Sequence, residues 1–313
     1  MNLIIEVKNT DQRLDVFLTG HLKDLSRSQI QKLIKLEAVT VNDLPVSAHF
    51  NLKPGDRVKI KQKTSQPKKE IKKTAPKKLP AVKIIEETEE FIVINKPAGL
   101  AVHGRADYTL ADWLKAKYPD IKKIGDDPER PGIVHRLDKD VSGLMVAAKT
   151  QKSFNSLKKQ FQNRTVDKQY TALVYGRVQK LSATINFPIK RAQDGYKMAA
   201  LPFTYKGEAS GAGRQAETFF DIIKRLINYT LLKVKIKTGR THQIRVHLSA
   251  YGNPIVGDNI YATAKTRIHN KKLGLNRIFL VADNLSFRDL TKQRKNYKIN
   301  LPLELKNILK QVK

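Results

Sequence analysis

Apolar residues recur with a helical spacing near the start of the chain. Residues 11–18 carry them three and four apart, and residues 26–36 repeat this spacing after a Ser-x-x-Gln sequence that can cap a helix. Val39-Thr40-Val41, followed by Asn42-Asp43, reads as a strand and a turn, and a Pro-Gly-Asp turn leads into the strand 57–60. Residues 1–60 are therefore predicted to form a small unit of two helices and a short sheet.

Residues 61–80, KQKTSQPKKEIKKTAPKKLP, interrupt this pattern because they contain almost no apolar side chain. They hold eight lysines, three prolines and one glutamate. Such a segment cannot bury enough surface to offset the entropy of ordering it, so we expect a flexible basic linker. Its charge suits RNA binding without sequence preference.

Residues 81–313 are predicted to form one larger domain in which strands outnumber helices. Two apolar runs on either side of the acidic turn 86–90 predict a hairpin that ends at Pro97-Ala98-Gly99. Helices are predicted over 109–114, 151–163 and 242–251, the last capped by Thr241, and strands over 166–174, 231–237 and 277–287. This order favours an α+β domain built on a largely antiparallel or mixed sheet.

The charge of the chain indicates a polyanionic partner. Lys and Arg number 60 against 29 for Asp and Glu, a net charge of +31. Such an excess repels itself unless an anionic partner shares it. Residues 1–60 carry +2 and residues 61–80 carry +7, which leaves +22 for the larger domain. Nucleic acid is the first partner predicted, and an anionic membrane surface is the second.

Several classes of protein are excluded by what the sequence lacks. No apolar run approaches the roughly 20 residues of a membrane helix, and residues 1–13 lack a signal layout, so a soluble cytoplasmic protein is expected. The absence of cysteine excludes disulfides, thiolate metal sites and cysteine nucleophiles. His242 and His247 are five apart without the glutamate of a zinc-protease helix, so no metal site is predicted.

The stretch RPGIVHRLDKDVSGLMVAAKT, residues 130–150, places a polar loop between two apolar runs. In it Arg136 stands two residues before Asp138, an arrangement that suits a reactive carboxylate. Asp, Ser and Gly over 138–143 are also ordinary turn residues, so the residues alone leave a plain turn equally open. A calcium loop is rejected because its twelfth position would be Lys149 instead of a bidentate glutamate.

Two further side chains are candidates for chemistry. Tyr170 shares one face of a predicted strand with Lys168 and Ala172, where packing explains a tyrosine as readily as function does. Arg240 follows a predicted strand at its junction with a helix, from which an arginine can reach into a cleft. A surface arginine paired with a phosphate or a carboxylate is the alternative.

The pattern RLD…F…LSRSQIQKLI…VTVN…LKPGDRV over residues 11–60 resembles the S4 domain, a small RNA-binding module. The resemblance implies that Arg27, Lys32 and Lys35 face RNA phosphate, with a solvated helix face as the alternative. Glu37-Ala38 stands where the S4 family usually turns on a glycine.

RPGIVHRLDKDVSGLMVAAKT, NRTVDKQYTALVYG and KTGRTHQIRVHLSAYGNPIVGD together resemble the RluA family of pseudouridine synthases, in particular its RluD-like members with an N-terminal S4 domain. The resemblance spans most of residues 11–290. It implies that Asp138 is the catalytic aspartate, Tyr170 the conserved tyrosine and Arg240 the active-site arginine. It also implies that Arg136 helps to fill the space left by an extruded base and that Leu280 lines the pocket.

The sequence departs from the RluA family at two places in these motifs. Val141 stands where a threonine is usual, and Leu280-Val281-Ala282 stands where Leu-His-Ala is common.

The resemblance implies an enzyme that converts uridine to pseudouridine in structured RNA, with large-subunit ribosomal RNA as the expected substrate. The target base would be flipped out of its stack, Tyr170 would stack on it, and a nearby Arg240 would keep Asp138 ionised. No metal or cofactor is needed, and a monomer is expected. The alternatives are a transfer RNA substrate and a non-catalytic RNA-binding or ribosome-assembly factor, against which the intact Asp138, Tyr170 and Arg240 argue.

Overall fold

A computed structural model describes residues 2–7, 12–22, 30–31, 33–34, 36–61, 81–104, 106–192, 197–201 and 213–312. The chain divides into two compact units, Met1–Lys78 and Leu79–Lys313. Of the segment predicted to be a linker, only Lys61 is among the described residues.

The smaller unit is a four-stranded antiparallel sheet with helical residues packed against it. The sheet order is β1-β4-β2-β3, and residues 30, 31, 33 and 34 are helical beside the helix α1. The elements are β1 (Asn2–Glu6), α1 (Leu14–His21), β2 (Val39–Val41), β3 (Leu44–Pro45) and β4 (Arg57–Lys61). Leu14, Leu18, Ile30, Val39 and Val58 are buried together. The predicted first helix is confirmed as α1. The turn at Asn42-Asp43 is also confirmed, since both of its residues have a positive φ.

The helical residues 30–34 are followed by a turn centred on Glu37. The N–H of Ala38 donates to the carbonyl of Leu33 at 3.0 Å, and that of Glu37 donates to Ile34 at 3.0 Å. This pair of bonds is a Schellman motif, whose left-handed residue is usually glycine. Glu37 has a φ of 54°, so it adopts the conformation that the glycine of related domains adopts without strain.

The larger unit follows the predicted alternation of strands with single helices. Its strands are β5 (Lys83–Glu87), β6 (Phe91–Lys96), β7 (Ser142–Ala148), β8 (Asp167–Tyr175), β9 (Ser182–Ile185), β10 (Ile189–Arg191), β11 (Met198–Ala200), β12 (Thr218–Arg225), β13 (Tyr229–Ile236), β14 (Leu280–Arg288) and β15 (Arg294–Lys298). Its helices are α2 (Leu110–Lys117), α3 (Gln151–Gln162), α4 (Gln243–Ala250), α5 (Ala264–Lys272) and α6 (Leu303–Gln311), with a 3-10 turn at Pro119–Lys123.

A nine-stranded sheet forms the centre of the larger unit. Its order is β5-β6-β7-β14-β8-β13-β12-β9, and β15 pairs with β14. Among its described pairings, only β7 with β14 is parallel. The predicted α+β fold with a largely antiparallel, mixed sheet is therefore confirmed.

The sheet is covered on both faces near β7. Every residue of β7 is buried, because its side chains alternate between two apolar clusters. Met145 and Ala147 join one cluster, whereas Leu144 and Val146 join the other, which also contains Phe154 of α3. This burial holds β7, and with it the loop 133–141 that precedes β7, in one position.

Gly143 brings β7 close to β14. It has a φ of 131°, and a Cβ atom built there would lie 2.2 Å from the carbonyl oxygen of Ala282. Only glycine fits such a contact. The parallel pairing of Gly143 with Ala282 places the loop before β7 beside the start of β14.

The predicted helix over 242–251 is correct in type but wrong at its start. It begins at Gln243, with His242 at the N-cap position in a left-handed conformation and without a side-chain cap. Thr241 therefore does not cap it. The side chain of Gln243 instead folds back, and its Oε1 accepts hydrogen bonds from Thr238 Oγ1 at 2.7 Å and from the N–H of Arg240 at 3.1 Å.

The other helix predictions hold with small shifts. Thr109 caps α2 in a capping box with Asp112, and Thr150 caps α3. The strand predicted over 277–287 begins at Leu280. Among the described residues, no helix is long and apolar enough to cross a membrane.

Candidate active site

A cavity of about 500 Å³ opens where the loop 133–141, the strands β8, β13 and β14, and the start of α4 meet. This volume is within the range of small-ligand clefts. Every site residue that the sequence predicted in the larger domain lines it, namely Arg136, Asp138, Tyr170, Arg240 and Leu280. Residues from 136 to 280 are thus brought to one place by the sheet.

Asp138 lies inside this cavity and faces an arginine. Its side chain is 16% exposed, and its Oδ2 lies 3.6 Å from Nη1 of Arg245. Asp126 and Asp127 also line the cavity, but they pair with the partly exposed side chains of Lys158 and Arg130. Asp138 is consequently the carboxylate that faces the interior.

Arg245 is held rigidly by a second carboxylate. Its Nε and Nη2 each donate to Asp258 at 2.8 Å, and both side chains are almost fully buried. Its guanidinium also lies 5.5 Å from the ring centre of Tyr261. Burial opposes the charge, but Asp258 and Asp138 outweigh it and raise the pKa of Arg245. A fixed positive charge therefore stands beside Asp138.

The sequence predicts Arg240 beside Asp138, but the ion pair is made by Arg245. Arg240 lines the cavity elsewhere, and its Nε donates to the carbonyl of Gln215 at 3.2 Å. The reason is the shape of the loop. The helix α4 starts only at Gln243, so a side chain from its first turn enters the cavity. The signal in the sequence was an arginine between two apolar residues, Ile244 and Val246.

Tyr170 lies on β8, between β13 and β14. It is 5% exposed and pairs with Val234 on one side and with Ala282 on the other. Burial, with the nearby charge of Asp138, raises the pKa of Tyr170 far above its usual range. Its hydroxyl therefore keeps its proton at neutral pH. Leu280, at the start of β14, is also buried and lines the same cavity.

Arg136 projects into solvent while its neighbours hold the loop. Arg136 is exposed at the cavity. His135 beside it accepts the N–H of Val146 on Nε2 at 3.1 Å and stacks on Phe161 at 4.4 Å. Burial lowers the pKa of His135 to about 3, so it is a neutral anchor. The exposed side chain of Arg136 thus extends from a backbone that His135 holds in place.

Lys96, which the sequence reading missed, anchors the other side of the loop. Its Nζ donates to the carbonyls of Pro97, Leu100 and Lys139 at 2.9, 2.8 and 3.1 Å. It is fully buried, and burial lowers its pKa to about 7. Because Lys139 follows Asp138 directly, these bonds fix the backbone on which the carboxylate stands. Its signal was a lysine at the end of an apolar strand, just before a proline.

The departure at Val141 leaves this loop intact. The N–H of Val141 donates to the carbonyl of Asp138 at 3.2 Å, a bond that any residue except proline can make. Its side chain is buried in the main core. Valine therefore supplies the same backbone bond and adds apolar contact.

The remaining predicted RNA-contacting residues, Arg27, Lys32 and Lys35, lie outside the described residues. Within the described ranges, no group of three or more His, Cys, Asp and Glu side chains could hold a metal ion. The cavity rim is basic, with Arg130, Lys158, Arg164, Lys168 and Lys237 among its lining. The site thus joins an interior carboxylate, a fixed guanidinium and a protonated phenol beneath a rim suited to phosphates.

Both parts of the chain are similar to known protein families. Residues 90–250 match the family model described as RNA pseudouridylate synthase, and residues 12–58 match the S4 domain. An uncharacterized RNA pseudouridine synthase of Synechocystis is 40% identical over 256 residues, which cover 80% of this chain and 75% of that protein. The ribosomal large subunit pseudouridine synthase C of Vibrio parahaemolyticus is 33% identical over 301 residues, or 94% of this chain and 90% of that protein. The solved structure of human RNA pseudouridylate synthase domain containing 1 aligns with a TM-score of 0.58 and 26% identity over 73% of this chain and 87% of that one.

Proposed function

This chain belongs to the RNA pseudouridylate synthase family, and we propose that it converts particular uridines of large-subunit ribosomal RNA to pseudouridine through Asp138. The resemblances to the S4 domain and to pseudouridine synthases are confirmed. The protein is an RNA-modifying isomerase, and RNA is its partner. Its substrate RNA and the roles of its residues are proposals.

The observation that carries the assignment of Asp138 is its pairing with Arg245 inside the cavity. Arg245 is held by Asp258 in the structure without RNA, so it is in place before RNA binds. A preorganised cation costs no reorganisation during the reaction and stabilises negative charge where it is needed. Binding RNA does not by itself require a carboxylate inside a cavity that faces a fixed guanidinium.

The reaction breaks the bond between N1 and C1′ and forms a bond between C5 and C1′. Asp138 is placed to engage the reacting nucleotide as its carboxylate. Tyr170 enters the same cavity with its hydroxyl protonated, so it can stack on the uracil and donate a hydrogen bond to it. A protonated phenol cannot take the proton that C5 loses, so Tyr170 is not assigned as the base at C5. Leu280 supplies an apolar wall for the ring.

A stacked uridine must leave the helix to reach Asp138. Extrusion costs on the order of a few kcal/mol, and less in RNA loops, whose bases are already splayed. Arg136 stands exposed at the cavity, two residues from the carboxylate. It is placed to fill the space that the flipped base leaves in the RNA.

Ribosomal RNA is the substrate that the relatives favour. The Vibrio relative is by name a ribosomal large subunit enzyme, and its similarity covers 94% of this chain, with the S4 domain included. The basic cavity rim and the S4 domain would position the RNA through its phosphates, while contacts in the cavity select the base. We expect the protein to act as a monomer in the cytoplasm, where ribosomes are assembled.

The substrate is tested by mapping pseudouridines in total RNA from cells with and without the gene for this protein. Loss of one or more pseudouridines confined to large-subunit ribosomal RNA is the expected result. Loss confined to transfer RNA would overturn the substrate but not the chemistry. An unchanged map would favour an RNA-binding assembly factor.

A further inference from the structure

His242 has a strained backbone at the edge of the active-site cavity. Its φ of 54° and ψ of 21° lie in the left-handed region, which histidine visits more readily than most residues but still at a cost. His242 directly precedes α4 and lines the cavity with Asp138 and Arg245. Strain at such a place indicates that the position of the side chain matters.

A chain of hydrogen bonds fixes the tautomer of His242. The N–H of Met198 donates to Oη of Tyr261 at 3.0 Å, and the same Oη lies 2.9 Å from Nδ1 of His242. A backbone N–H can only donate, and the Tyr261 hydroxyl has no other acceptor within the described part of the chain. The arrangement that gives the hydroxyl proton an acceptor is donation to an unprotonated Nδ1, and we assign that tautomer to His242.

The remaining ring nitrogen carries the proton. Burial raises the pKa of Tyr261 to about 12, so its hydroxyl stays intact. Burial also lowers the pKa of His242, against the opposing charge of Asp138, so the imidazole is neutral at pH 7. Nε2 then holds a proton, and no described residue accepts it. His242 can donate from Nε2 but cannot accept there.

We propose that His242 donates its Nε2–H to a carbonyl oxygen of the flipped uracil, as a residue that selects and stabilises the detached base. This inference rests on the proposed function.

A hydrogen-bond donor at this position can act on the uracil at each stage of the reaction. When the N1–C1′ bond breaks, the uracil keeps the electron pair, which is shared by N1, O2 and O4. The ring must then turn so that C5 meets C1′, and this rotation exchanges the places of O2 and O4. C5 loses its proton as the new bond forms, and N1 gains one. A donor fixed in the cavity meets a carbonyl oxygen both before and after the turn, and its bond strengthens as negative charge develops.

The same donor discriminates against cytosine. Cytosine carries an amino group in place of O4, so two donors would face each other in one of the two ring orientations. A buried donor left without an acceptor is unfavourable, so cytosine should react about 5- to 150-fold more slowly than uracil. Uracil leaves no such donor unpaired.

The first test is a direct measurement of the tautomer. Long-range ¹H–¹⁵N NMR of histidine-labelled protein at pH 8 is expected to show His242 protonated on Nε2, and Tyr261→Phe is expected to populate the Nδ1-protonated form. Adding uridine 5′-monophosphate is expected to shift the Nε2–H signal in the wild type. A wild-type ring protonated on Nδ1, or an Nε2–H that the nucleotide does not shift, would overturn the proposal.

The second test measures single-turnover conversion of an RNA with uridine, 2-thiouridine or 4-thiouridine at the target position. Sulfur accepts hydrogen bonds weakly, so either thio substitution should slow the wild type. His242→Asn preserves the left-handed backbone and should slow uridine conversion by about 100-fold, with little further loss on the thio substrates. Equal thio effects in both proteins, or full activity in His242→Asn, would contradict the proposal. If the wild type formed no pseudouridine, the proposed function would fail, and the NMR test would still decide the role of His242.

Discussion

Nη1 of Arg245 lies 3.6 Å from Asp138, while the opposite edge of the same guanidinium is held by Asp258. The two carboxylates therefore share one cation, and Asp258 fixes the cation that faces Asp138. A planar guanidinium can bind on two edges at once, which a lysine ammonium cannot do in the same geometry.

Arg245→Lys keeps the charge but loses this bridge. We expect the single-turnover rate to fall by at least about 100-fold, because the charge opposite Asp138 is displaced, and the melting temperature to fall because Asp258 is left poorly paired. The matched control is Arg240→Lys, which changes another arginine of the cavity lining, one that donates to the carbonyl of Gln215. It should alter the RNA concentration needed for half-maximal rate more than the rate itself. A larger rate loss in Arg240→Lys than in Arg245→Lys would reverse the two roles.

Lys96 should give the larger unit a measurable pH dependence. Burial lowers its pKa to about 7 in the folded protein, against about 10.4 in an unfolded chain. Between these values the unfolded chain holds a proton that the folded protein has released. Stability should therefore rise with pH from about 7 to 10, by about 1 kcal/mol per pH unit, and should not change through this group below pH 7.

Denaturant unfolding followed by the fluorescence of Trp113 measures this dependence. Lys96→Met should lack the rise in stability above pH 7 that the wild type shows. Lys83→Met alters an exposed lysine of β5 and should keep the wild-type slope. The same slope in all three proteins would contradict a lowered pKa for Lys96.

Glu37→Gly should stabilise the smaller unit. Glu37 adopts the left-handed conformation of the Schellman turn, which glycine adopts without a Cβ penalty, so a gain of about 0.5–1 kcal/mol is expected. Hydrogen exchange of the amides of Val39–Val41 reports it as slower exchange. Glu37→Ala removes the charge but keeps the Cβ, and it should give no comparable gain. If the amides exchanged equally slowly in both variants, the gain would come from removing the charge and not from relieving backbone strain.

Local patterns predicted most elements of this fold. The spacing of Phe154 and Leu157 predicted α3, and a helix was predicted from Thr109, one residue before α2 begins, because helix periodicity depends on neighbouring residues. The start of α4 was mispredicted at Thr241, because the side chain of Gln243 takes up the loop's hydrogen bonds. Which side chain takes up these hydrogen bonds depends on the folded shape of the loop, so the residues near Thr241 do not reveal it.

The active-site residues divide in the same way. Asp138 and Tyr170 were predicted as site residues from motifs, and both line one cavity. Arg245 and Lys96 could not, since their partners Asp258 and Lys139 become neighbours only when the chain folds. The role of a buried charged residue becomes clear only when the residues that it pairs with are known.

Asp138→Asn shows whether the carboxylate of Asp138 carries the chemistry. Asparagine keeps the size of the side chain, and Asp258 still holds Arg245, so the fold and the RNA-binding surface should be preserved. The measurement is pseudouridine formation in the RNA fragment that mapping identifies, together with the affinity for that fragment. The expected result is complete loss of conversion with nearly unchanged affinity. Conversion at the wild-type rate would contradict the assignment of Asp138 as the catalytic carboxylate.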